Sequence, residues 1–101
     1  MAKKRKRLDP IHPGEILSEE FMKPMGISIN RLARELYVPP GRISAIVNGK
    51  RAITADTALR LATYFRVSPE IWIGLQADYE LRVAKRTSGA EIAKRVHPHV
   101  A

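Results

Sequence analysis

The residue types that could do chemistry gather at Pro40-Gly41-Arg42-Ile43-Ser44-Ala45. If this segment is helical, Ile43, Ile46 and Val47 share one face and leave Pro40, Gly41, Arg42, Ser44 and Ala45 outward. An arginine near the start of such a helix can make a bidentate contact with guanine in the DNA major groove. Gly41 and Ala45 let the backbone approach closely, and Ser44 can bond a base or a phosphate. Ser28, Asn30, Arg31, Asn48, Lys50 and Arg51 are candidates for phosphate contacts, which position a protein without reading sequence. Lys50-Arg51 alone would be a solvated turn; behind a pair of helices the phosphate role is preferred.

Other chemistry finds little support. The chain has no cysteine, which excludes disulfides and thiolate metal sites. Glu19 and Glu20 are adjacent, and neighbours on a helix point about 100° apart, so they cannot converge on one substrate atom. The three histidines, His12, His97 and His99, lie near the ends of the chain, and the six glycines form no phosphate loop. Trp72 and the tyrosines are not interleaved with cations as a single-strand stacking platform requires. We therefore expect no enzyme, no metal and no cofactor.

The elements that must position this surface follow from capping and periodicity. His12-Pro13-Gly14-Glu15 starts a first helix, with Ile16, Leu17 and Phe21 on its apolar face, ended by Pro24 and Gly26. Ser28 caps a second, in which Leu32, Ala33 and Leu36 form the apolar face. Tyr37–Pro40 breaks the chain before a third helix, closed by Asn48-Gly49. Thr54 caps a fourth, with Ala58, Leu59, Ala62 and Phe65 as its buried stripe. Ser68-Pro69-Glu70 opens a fifth, spanning Pro69–Arg86. This last helix carries two apolar faces: Ile71, Trp72, Leu75 and Tyr79 on one, and Ile73, Ala77, Leu81 and Ala84 on the other. One face can serve the core, and we expect the second to pair two copies of the chain. Ser88-Gly89-Ala90-Glu91 matches a capping box, which predicts a separate short helix at Gly89–Val96.

The chain has 101 residues, enough for one domain with a modest core. Its net charge of +8 is concentrated at the ends. Residues 1–10 hold five basic residues against one acid, residues 11–78 eight against seven, and residues 79–101 five against two. Basic ends on a nearly neutral body favour a polyanion, most simply nucleic acid. Lys3–Arg7 (KKRKR) should be disordered by self-repulsion. It could be an arm to a DNA groove, a site for RNA or an acidic partner, a nuclear signal, or a solvated tail. No apolar run reaches the ~18 residues of a membrane span, and no apolar stretch follows the basic start, so a reducing, cytoplasmic setting is expected. These observations favour an all-α fold organised as a basic arm at 1–11, a DNA-binding and dimerisation domain at 12–86, and a tail at 87–101. A structural or RNA-associated protein acting through its basic ends is the rival from another class.

Four stretches carry a family resemblance: HPGEIL at His12–Leu17, PPGRISAIVNGKRAIT at Pro39–Thr54, ADTALRLATYF at Ala55–Phe65 and SPEIWIGLQADYEL at Ser68–Leu81. Together they resemble the HigA (VapI-like) antitoxins among the Xre/Cro-type helix-turn-helix proteins, over about residues 12–86. The resemblance implies a five-helix, lambda repressor-like domain, a homodimer that represses its own operon at an operator of double-stranded DNA. It also implies a partner, a HigB-type toxin that is a ribosome-dependent messenger-RNA endonuclease. A free-standing Xre-type regulator without a toxin is the alternative. Two positions depart from the broader Xre/Cro pattern. Ile29 stands where a phosphate-holding Gln is frequent, and Tyr37 stands where Gly often supplies a left-handed residue, which suggests a different turn geometry.

Overall fold

The computed structural model describes residues 9–100, so the readings placed on Lys3–Arg7 lie outside the described residues. Among the described residues there are five helices and no strand: α1 (13–25), α2 (Ile29–Leu36), α3 (Pro40–Val47), α4 (Ala55–Phe65) and α5 (Pro69–Arg95). The all-α expectation holds.

Helices α1 to α4 end alike. Gly26, Tyr37, Gly49 and Arg66 each take the left-handed conformation, at φ of 65°, 62°, 75° and 60°. The next amide then bonds back to the carbonyl five residues earlier, as in Ile27 to Met22, Val38 to Ala33, Lys50 to Ala45 and Val67 to Ala62. After α1, α2 and α4 that next residue is Ile27, Val38 or Val67, which turns into or against the core. After α3 it is Lys50, which is exposed. Tyr37 therefore keeps the left-handed turn, contrary to the different geometry its side chain suggested. The hydrogen-bonded cap and the burial of Val38 outweigh the ~1–2 kcal/mol that this conformation costs a residue with a Cβ.

Pro24 does not end α1. The helix runs to Met25 through a π-helical stretch at Leu17–Met22. A proline ring clashes with the carbonyl four residues back and offers no N–H. The wider turn, in which the Lys23 amide reaches the Ser18 carbonyl, accommodates it.

The core joins Leu17, Leu32, Ile43, Ile46, Leu61 and Trp72, all fully buried. Phe21 packs on the rings of Phe65 and Trp72 at centroid distances of 4.9 and 5.0 Å. The stripe expected on α4 is rotated: Thr57, Ala58, Leu61 and Ala62 are buried, whereas Leu59 is 60% exposed. Adjacent apolar residues leave the phase of a helix open, and contact with α2 and α5 chooses it. On α5, Trp72 and Gln76 face inward and Ile71 is exposed.

Helix α5 does not stop at Arg86. It continues to Arg95, and Ser88 lies inside it rather than capping a second helix. Thr87 Oγ1 donates back to the Val83 carbonyl at 3.0 Å, and Asp78–Arg82 and Glu91–Arg95 pair along the surface one turn apart. A capping-box pattern starts a helix only where the chain has already left one, and no proline intervenes before Pro98. The boundary drawn between 86 and 87 therefore falls within one helix.

Candidate nucleic-acid interface

Helix α3 is held from three sides. Its apolar face lies on α2, its C-terminal half rests on the first turn of α1, and its first turn is tied to α4. Pro39, with ψ at 144°, is extended as a residue preceding proline should be. Pro40 then opens the helix without an unpaired amide.

Opposite Ile43 and Ile46, helical phase sets Gly41, Ser44, Ala45 and Asn48. Pro40 and Gly41 are exposed; Ser44 and Ala45 are half-buried. No atom lies within 4 Å of a Cβ built on Gly41, so this end of the helix is open. Asn48 Nδ2 donates to the Ser44 carbonyl at 2.9 Å and closes the helix.

Arg42 lies on the flank toward α4, not on the outward crest. Its Nη1 donates to Asp56 Oδ2 at 2.6 Å, and its Nε is buried without a partner. Asp56 also accepts from Arg60 Nε at 2.9 Å, and Arg60 Nη1 donates to the Leu36 carbonyl at 2.8 Å. Hydrogen bonds from Arg60 and then Arg42 hold the Asp56 carboxyl below its ordinary range. Sequence reasoning gave neither Asp56 nor Arg60 a role. The signal was faint: an acid and an arginine four apart on one helix.

At the start of α2, Ser28 Oγ accepts the Arg31 amide at 3.1 Å, and Asn30 is exposed beside it. The Arg31 side chain pairs with Glu35 at 3.2 Å. Glu35 also accepts the Tyr64 hydroxyl, which lowers its carboxyl most, and this contact pins the far end of α2 to α4. Lys50 and Arg51 are exposed in the loop after α3.

That loop is anchored by a residue the sequence reading missed. Gln76, buried on α5, accepts the Ile53 amide at 2.9 Å and donates to Glu80 at 2.9 Å. A polar residue at the turn after Trp72, on the apolar face, was the available sign. The other apolar face of α5 is uncovered in the single chain: Ile73 is 41% and Leu81 56% exposed, and Ala77 and Ala84 are exposed with them. Among the described residues no three His, Cys, Asp or Glu side chains converge as metal ligands, and His97 and His99 are exposed beyond α5. No helix among the described residues is long and apolar enough to cross a membrane.

The helix-turn-helix family model matches residues 19–72. Virulence-associated protein I of Dichelobacter nodosus is 49% identical over 82 residues, 81% of this chain and 76% of that protein. An addiction module antidote protein of the HigA family from Coxiella burnetii is 50% identical, with a TM-score of 0.86 over 90% of this chain and 99% of that one. The Pseudomonas aeruginosa antitoxin HigA, solved with the higBA promoter, is 42% identical, with a TM-score of 0.87 over the same shares of the two chains.

Proposed function

Because the chain belongs to the helix-turn-helix family, among its HigA (VapI-like) antitoxins, we propose that it is a DNA-binding repressor of its own operon and the antitoxin of an mRNA-cleaving, HigB-type toxin. It acts in the cytoplasm and is not an enzyme. Two copies pair through Ile73, Ala77, Leu81 and Ala84 and present their α3 helices to successive major grooves, about 34–36 Å apart on a palindromic operator.

The observation that carries the DNA half is the build of α3: an open N-terminal end at Pro40 and Gly41, an arginine in its first turn, and Lys50 exposed where the ends of α1, α2 and α4 set an apolar residue into or against the core. Gly41, Ser44 and Ala45 meet base edges, Arg42 reads guanine, and Ser28, Asn30, Arg31, Asn48, Lys50 and Arg51 hold phosphates on either side. In a titration at fixed salt, Arg42→Ala weakens operator binding by about 1–3 kcal/mol and relaxes preference at one base pair. Unchanged binding would sink the assignment.

The toxin half is supported by the antidote and antitoxin relatives. Co-expression with a small toxin encoded beside this gene yields a stable complex that copurifies. Failure to capture that neighbour, with operator binding intact, would leave a free-standing regulator.

A further inference from the structure

Arg42, Asp56 and Arg60 form a chain that ends on the Leu36 carbonyl, and so joins the last turn of α2 to the first turns of α3 and α4. Within it Arg42 is the most enclosed member, its side chain 23% exposed against 56% for Asp56 and 38% for Arg60. With Nε buried and Nη1 on the carboxylate, the guanidinium has one edge left for a ligand. An arginine is a planar fork, and fixing one prong sets the direction of the rest.

We propose that Asp56 is a positioning residue for specificity, holding the Arg42 guanidinium so that its remaining edge meets a guanine instead of a neighbouring phosphate. This rests on the reading of Arg42 as a base contact. A free arginine loses rotamer freedom on docking, and one already held loses less. A free arginine can also swing to a phosphate, which binds every sequence alike. The carboxylate opposes that second outcome, because it is half-exposed beside the guanidinium and is itself repelled by the DNA backbone. Asp56 therefore costs general affinity and adds discrimination. Arg60 keeps the carboxylate in place by bonding it from α4 while gripping the end of α2.

The test uses the full chain and a high-affinity duplex selected from a random pool by the wild-type protein. Wild type, Arg42→Ala, Asp56→Asn and Arg60→Ala are titrated against that duplex, against every single base-pair change in it, and against a random duplex over a salt series. Arg42→Ala locates the base pair it reads. There, Asp56→Asn lowers discrimination about tenfold, while random-duplex affinity rises severalfold and the salt slope steepens by about one phosphate equivalent. Arg60→Ala moves the same quantities the same way by less, and supplies the test if Asp56→Asn fails to fold. In the double variant Arg42→Ala/Asp56→Asn, no further discrimination is lost at that base pair. If Asp56→Asn weakens selected and random duplexes in equal proportion, with every base preference intact, Asp56 is only structural and the proposal is overturned. If Arg42→Ala itself leaves all base preferences intact, the base-reading assignment falls and takes this proposal with it.

Discussion

A methyl group built on Gly14 would stand 1.7 Å from the carbonyl oxygen of Ile46. The first turn of α1 is thus laid directly against the backbone of α3, the helix proposed above to carry the reading surface. No side chain fits between them, and the neighbour that would have to move is main chain, which cannot rotate aside as a side chain can.

Gly14→Ala therefore forces the two helices apart. We expect a loss of about 1–3 kcal/mol in urea unfolding, the range for overpacking a tight interior, together with weaker operator binding as α3 shifts. A variant as stable as wild type would show that the two helices can part at no cost. Gly41→Ala is the control for the stability measurement alone, since the space beside Gly41 is open and alanine favours the helix.

The Ile53 amide is buried, and its partner is the Gln76 side chain. Gln76→Ala leaves that amide without an acceptor and costs about 1–3 kcal/mol by the same unfolding measurement. Gln76→Glu supplies an acceptor but sets a second carboxylate against Glu80. It is therefore destabilised at neutral pH and recovers as the pH falls through the carboxylate range. Equal stability of all three proteins across pH would reject the anchoring role.

His12 joins α1 to the end of α3. Its Nδ1 accepts the Gly14 amide, its ring stands edge-on to Tyr79 at 4.9 Å, and Gly49 of the α3 cap is beside it. Burial pushes its pKa down from the ordinary 6.5. The unfolded chain then holds more protons than the folded one below that value. The neutral ring's contribution is complete above about pH 6.5 and is lost as pH falls through the lower, folded pKa. Protonation also removes the Nδ1 acceptor and places a cation at a helix N-terminus. Glu15 and Glu19 line the same hollow, and their negative charge pulls the other way. The melting temperature should fall between pH 7 and pH 5, and His12→Asn, a capping residue that does not titrate, should flatten that fall. A decline just as steep in His12→Asn would place its origin elsewhere.

Ile73 and Leu81 are exposed along one side of α5 in the single chain. If this face pairs two copies, Ile73→Asp buries a charge in the seam and gives monomers in sedimentation at concentrations where wild type is dimeric. Operator affinity then falls steeply, because each copy must bind its half-site alone. A dimer that survives the change would reject this face.

Much of the fold was legible because it is local. Ser28 and Ser68 cap helices and accept amides two or three residues on, and Pro40 and Pro69 open helices. What misled the reading was also local information lacking its context. Ser88 has the pattern of a cap but sits within a running helix. Leu59 and Ile71 are apolar beside apolar neighbours, and nothing in the spacing says which of each pair turns inward. Tyr37 holds a glycine's conformation because the cap hydrogen bonds and Val38 demand it.

By itself the sequence determined where the five helices begin and to which family the chain belongs, because capping, periodicity and motif are written within a few residues of one another. Tertiary structure decided how α3 is held. Arg42 meets Asp56 across 14 residues, Ile53 meets Gln76 across 23, and Gly14 meets Ile46 across the width of two packed helices. Those partners are set by the angles at which helices cross and the phase each takes in the core, and no local pattern records them. The same physics turned Arg42 from an outward side chain into one braced against a carboxylate.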